Sequence, residues 1–171
     1  MKIKAELCIV CDDVSKEAAN GLCNKLSHRH NCMTWNEKEY RDYKTTTFET
    51  ISNKQKVLYL SNKLIREFLS ESMWEKSVLL SEGTKLVSTG NQYGILIDDT
   101  ECNSVPFLTG KDWWKYLMSL VSTGIIALPI AWFLWKNRKK NAETIRKKKL
   151  YLDAVKYLVD GDNIKKLFPE E

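Results

Sequence analysis

The chain alternates short apolar runs with longer amphipathic stretches. Residues 5–11 form the run Ala5-Glu6-Leu7-Cys8-Ile9-Val10-Cys11, which stops at Asp12-Asp13. A short apolar run closed by polar residues predicts a buried strand. Apolar residues then recur at Val14, Ala18, Ala19, Leu22, Cys23 and Leu26. That spacing predicts a helix over 14–26, with Ser15 or Asp13 as its N-cap. Cys32-Met33-Thr34-Trp35 predicts a second strand. Residues 36–44 are polar and charged and suit a loop, and 45–52 suit a short helix. Val57-Leu58-Tyr59-Leu60-Ser61 predicts a third strand. Asn62 is placed to cap a helix over 63–86, broken near 70–72. Tyr93-Gly94-Ile95-Leu96-Ile97, ending at Asp98-Asp99, predicts a fourth strand.

Strands alternating with helices imply crossover units and a parallel sheet. Their near-continuous apolar runs fit strands covered on both faces. The expected fold class is α/β: a parallel sheet flanked by helices, followed by a hydrophobic membrane helix and a basic helical tail. The expected divisions are an α/β domain over 1–110, a hydrophobic segment over 113–135 and the tail over 136–171.

The hydrophobic segment carries the strongest pattern. No charged residue lies between Tyr116 and Trp135. Twenty helical residues span roughly 30 Å, the thickness of a bilayer's hydrocarbon core. Trp113, Trp114, Trp132 and Trp135 stand where an interfacial aromatic belt would. Lys136, Arg138, Lys139 and Lys140 follow, and 136–149 holds eight basic residues against Glu143 alone. Such a run suits anionic lipid headgroups. A second reading keeps the same stretch in a wholly soluble five-stranded ligand sensor. There 114–121 is a helix, 124–130 the fifth strand and 142–159 the last helix. Leu150, Leu152, Val155, Leu158 and Val159 give the tail an apolar stripe, which suits packing on the chain's own domain.

Charge separates the parts. Residues 111–171 carry a net +6 and residues 1–110 a net −1. That argues against a nucleic-acid-binding domain with a basic face throughout, and for a local contact with an acidic surface. Basic residues after the apolar segment place the tail in the cytoplasm, which for a single span puts 1–110 on the other side. The five cysteines and charged N-terminus point instead to free thiols in a reducing compartment. A shallow hairpin bending near 124–129, an in-plane anchor or an exception to the charge rule would each resolve that conflict, and the α/β domain is expected to be cytoplasmic and membrane-associated.

Candidate chemistry is sparse. Cys8 and Cys11, with Cys23, His28, His30 and Cys32 nearby, resemble part of a zinc site. In a strand, however, Cys8 and Cys11 point to opposite faces, so no metal is expected. Cys11 beside Asp12 and Asp13 is also a poor redox thiolate. The scattered glycines form no phosphate-binding loop. The carboxyl ends of parallel strands form the usual ligand crevice, which nominates Asp12, Asp13, Ser61, Asn62 and Asp98. The same residue types also cap helices there.

The order of these features resembles a Toll/interleukin-1 receptor (TIR) domain over about residues 5–100. Leu7 to Asp13 is similar to that family's opening box. The stretch 37–44, with Tyr40-Arg41-Asp42, sits where the family's loop after the second strand sits. Thr47 to Ser52, followed by Lys56 to Ser61, resembles its helix and serine-ended strand. Ser72-Met73-Trp74 resembles the start of its third helix. The resemblance implies contacts with a neighbouring copy or another TIR-like domain through Tyr40, Arg41, Asp42 and Lys44. Enzymatic members cleave NAD with a glutamate four residues after that tryptophan. Here that position is Val78, with Glu71 and Glu75 nearby, and the family's loop proline–glycine is missing. The expectation is therefore a membrane-associated signalling or immune-defence module acting by self-association or partner binding, without a cofactor. A small NAD- or nucleotide-cleaving hydrolase using Glu71 or Glu75, with NAD as its ligand, stays open. A general flavodoxin-like fold gives the same element order.

Overall fold

The computed structural model describes residues 5–46, 55–100 and 127–160, and the single positions 105, 118, 121 and 165. Two compact units are present: Met1–Asp99 with Lys147–Glu171, and Thr100–Arg146.

The first unit is a mixed α/β layer structure. Its elements in order are β1 (Leu7–Cys11), α1 (Lys16–Leu26), β2 (Cys32–Asn36), α2 (Glu37–Thr46), β3 (Lys56–Leu60), α3 (Asn62–Phe68), a 3₁₀ turn (Glu71–Met73), β4 (Lys76–Ser81), β5 (Thr84–Thr89) and β6 (Gln92–Ile97). The helix α4 (Ala127–Val159) contributes its residues from Lys147 onward. The six strands form one sheet in the order β2-β1-β3-β6-β5-β4. β2, β1, β3 and β6 run parallel, and β5 is antiparallel to both β6 and β4.

The continuous apolar runs are explained by helices on both faces. Leu7, Ile9 and Cys11 of β1 and Leu58 and Leu60 of β3 face one core, with Ala18, Ala19 and Leu22 of α1. Tyr151, Ala154, Val155 and Leu158 of α4 complete that core. Cys8, Val10, Val57 and Tyr59 face the other core, with Tyr40 of α2 and Leu64, Ile65 and Leu69 of α3 or its end. Alternate side chains of each strand thus enter different cores. The tail stripe expected from 150–159 does pack on the sheet, although Leu152 itself is exposed.

Two expectations need correction, and a third finds no support. Residues 37–46 are helix, not loop. The Asn36 side-chain oxygen accepts the Glu39 N–H at 2.8 Å, and Glu39 Oε2 accepts the Asn36 N–H at 3.0 Å. This reciprocal capping box starts a helix that the polar composition conceals. Tyr40 supplies its buried anchor, 1% exposed, with its hydroxyl 2.8 Å from that of Tyr59.

Secondly, the helix expected over 63–86 ends at Phe68, and 76–97 is a three-stranded antiparallel meander. Ser72-Met73-Trp74 therefore opens no third helix; Trp74 follows the 3₁₀ turn and its Nε1 donates to the Leu69 carbonyl at 2.9 Å. Two-residue connections, Glu82-Gly83 and Gly90-Asn91, join the strands. Gly83 (φ +76°) and Gly90 (φ +52°) occupy the left-handed region that such hairpin turns require.

Thirdly, among the described residues no helix is long and apolar enough to cross a membrane. The described part of the expected segment is chiefly 127–135, the opening of α4. The fifth strand placed at 124–130 is also not formed, because 127–130 is helical. Trp113, Trp114 and residues 47–52 of the short helix placed at 45–52 lie outside the described residues, while 45 and 46 end α2.

Candidate functional site: a charged cleft at the carboxyl ends of β1 and β2

A cleft of about 410 Å³ opens where β1 and β2 end and α1 and α2 begin. Cys11, Asp12, Asp13, Lys16, Asn36, Glu37, Lys38 and Arg41 line it. This is the end of an open α/β sheet at which ligands ordinarily bind.

Local hydrogen bonding accounts for much of the lining. Asp12 Oδ1 accepts the N–H groups of Val14 (3.0 Å) and Ser15 (2.9 Å) and the Ser15 hydroxyl (2.9 Å). The Ser15 Oγ in turn accepts the Asp12 N–H at 3.1 Å. Asp12 thus shapes the turn into α1; Ser15 holds the N-cap position, one of the two expected, but its side chain accepts no helix N–H. Cys11 donates to the Trp35 carbonyl at 3.4 Å. Burial, then the Asp12 charge, pushes its thiol up to about 11. Cys8, on the opposite face, is pushed up to about 12, chiefly by burial. Both thiols are therefore protonated near neutrality, as the strand placement implied.

The α2 side of the cleft is an ion-pair network. Arg41 meets Glu67 of α3 through two bonds of 2.5 and 2.6 Å, and Glu37 at 2.9 Å; Lys63 reaches Glu37 at 2.8 Å. Hydrogen bonds from Lys63 and then Arg41 hold the Glu37 carboxyl below its ordinary range, and Arg41 does the same for Glu67. Lys44 lies 4.0 Å from the Phe68 ring centre, and burial lowers its pKa. A helix pinned to α3 by paired charges replaces the expected contact loop. Of its four nominated residues, Tyr40 is buried, Arg41 is in the network, and Asp42 and Lys44 are exposed.

Ser61, Asn62 and Asp98 stand at the carboxyl ends of β3 and β6, as expected, but do not line the cleft. Asn62 donates to the Ile97 carbonyl at 2.8 Å and accepts the Ile97 N–H at 3.0 Å, tying α3 to β6. The Ser61 carbonyl accepts the Ile65 N–H, and the Asp98 N–H donates to Gly83. Tyr151 of α4 closes this part of the strand ends. Its hydroxyl accepts the Asn62 N–H, while burial and then the Asp12 charge push its pKa up. Lys147 and Arg66 meet Asp99 at 2.5 and 3.8 Å beside it.

Glu71 and Glu75 are at the opposite end of the sheet. Glu75 precedes β4, which starts level with the start of β6, and its carboxylate accepts the Gly90 N–H at 3.1 Å. Neither carboxylate reaches the cleft residues. Lys16, Asn36, Glu37 and Lys38 line the cleft without having been nominated from sequence. The Asn36-x-x-Glu39 capping signal, directly after β2, would have placed them at a helix start on the ligand edge.

The second unit holds the remaining nominated residues. Trp135 donates from Nε1 to the Val105 carbonyl at 3.1 Å, and Arg146 donates to the Thr100 carbonyl. Trp132, Lys136 and Lys140 are exposed, while Arg138 and Lys139 are half-buried. No protein-family model, curated protein or solved structure matches the chain.

Proposed function

We propose that the chain is a TIR-like signalling or immune-defence module, membrane-associated with its α/β unit in the cytoplasm, that acts by self-association or partner binding. The observation that carries this reading is the state of the cleft. Its Arg41 and Glu37 are committed to pairs with Glu67 and Lys63, and Asp12 is committed to the α1 turn. A general acid needs a raised carboxyl pKa, whereas Glu37 is held low. The carboxylates nominated for glycosidic cleavage, Glu71 and Glu75, stand at the far end of the sheet. The α/β sheet covered on both faces suits a rigid platform for partner surfaces. Membrane association is supported by the exposed Trp132 and the basic run that follows it.

The hydrolase reading retains one favourable observation: Glu37 lines the cleft, and an ionised carboxylate is the form a nucleophile needs. NAD turnover by the full chain separates the two. The expected result is no NAD consumption above the protein-free blank, with Glu37→Gln indistinguishable from the parent. Consumption by the parent that disappears in Glu37→Gln would establish the hydrolase.

A further inference from the structure

The second unit leaves an apolar face of α4 uncovered. Ala131 is buried, whereas Ile130, Trp132, Phe133 and Leu134 are 54%, 52%, 58% and 43% exposed. Single exposed hydrophobes are ordinary, but Ile130, Phe133 and Leu134 share one side of the helix, with Trp132 flanking it on the lysine side, and together they form a patch that calls for a partner. Lys136 and Lys140 lie on the exposed side of the next turns. The Lys136 ammonium is 5.0 Å from the Trp132 ring centre, and that of Lys139 is 5.9 Å from Trp135. Residues 136–140 contain four basic side chains and no acidic one.

We infer that this face of α4 lies in the headgroup region of an anionic bilayer. Ile130, Phe133 and Leu134 enter the acyl boundary, Trp132 lies beside them at the headgroup level, and Lys136 and Lys140 meet lipid phosphates. The inference rests on the membrane association proposed above and specifies its form: an in-plane contact in place of a span. An in-plane helix needs only one apolar side, with basic side chains beside it. Indole rings are favoured at the headgroup level, where one edge is apolar and the other wet. Lysine stems extend along apolar surface and deliver their charge to the phosphates.

Charge selects the occupant. A second copy seated on this face would bring two basic runs together, which like-charge repulsion opposes. An anionic surface meets the same run with opposite charge, and each lysine near it strengthens binding roughly fivefold.

The test is flotation of the full chain with vesicles of phosphatidylcholine alone and of phosphatidylcholine with phosphatidylserine. The expected result is binding to the serine-lipid vesicles only. Trp132→Ser with Phe133→Ser should abolish it, and Lys136→Gln with Lys140→Gln should weaken it about twentyfold. All four positions are exposed, so the thermal melt should match the parent's. Binding to both vesicle types alike, or full binding by either double variant, overturns the inference and leaves membrane association standing. Failure to float with any vesicle overturns both. A parent dimer that the serine pair converts to monomer makes a second copy the occupant and overturns the inference.

Discussion

Replacing Leu158 with alanine should lower the unfolding free energy of the α/β unit by about 3 kcal/mol, whereas Leu152→Ala should change it by less than about 0.5 kcal/mol. The two leucines sit six residues apart on one helix, 0% and 39% exposed. Leu158 shares a core with Leu7 and Ile9 of β1, Leu58 and Leu60 of β3 and Leu22 of α1. Removing its side chain leaves a cavity between layers, while Leu152 has little packing to lose. Denaturant titration followed by circular dichroism measures both. A neutral Leu158→Ala would mean that the end of α4 is an appendage and not a layer of the sheet. Sequence separation makes this a strong test, because the helix lies far along the chain from the strands it covers.

Gly94→Ala should cost about 1–3 kcal/mol although it adds a single methyl group. A Cβ at Gly94 would stand 2.8 Å from Ile65 Cγ1, 2.9 Å from its Cδ1 and 3.3 Å from Val87 Cγ2. β6 is held between β3 and β5 and α3 packs directly on it, so neither neighbour can withdraw freely. The φ of Gly94 is not positive, so the penalty arises from space and not from backbone strain. Gly21 provides the contrast. It lies within α1 with nothing within 4 Å of a new Cβ, and Gly21→Ala should stabilise by about 0.5–1 kcal/mol. Thermal melts of the two variants should therefore move in opposite directions. An unchanged Gly94→Ala melt would show that α3 does not approach β6 as closely as the structure has it.

The parallel half of the sheet was legible because its strands are short apolar runs between polar residues. β1, β2, β3 and β6 fall within a residue or two of the expected segments, and so does α1. Two other parts were hidden for identifiable reasons. Among the described side chains of α2 only Tyr40 is buried, its sequence is mostly polar, and the Asn36–Glu39 box is what marks it. The β4–β5 hairpin follows α3 and the 3₁₀ turn closely, and Leu79 with Leu86, like Leu80 with Val87, stands seven residues apart, which fits a helical spacing as readily as a half-covered sheet edge. Gly90-Asn91 was the overlooked turn signal.

The candidate site was legible by position more than by role. Asp12, Asn62 and Asp98 stand at strand ends as expected, yet the hydrogen bonds give Asp12 and Asn62 structural roles. Single residues at a strand end carry too little information to separate a cap from a ligand group. The open cleft lies one strand over, beside β2, because α2 begins there and Tyr151 covers the neighbouring ends. That last contact joins residues from distant parts of the chain, which local pattern does not reveal.

The chain is proposed to act by association, first of all with further copies of itself. Sedimentation velocity of the full chain in detergent micelles, over a wide concentration range at physiological salt, tests it most directly. The expected result is a sedimentation coefficient that rises with concentration as monomers assemble. A single monomeric species at every concentration, in the presence and absence of detergent, would contradict it.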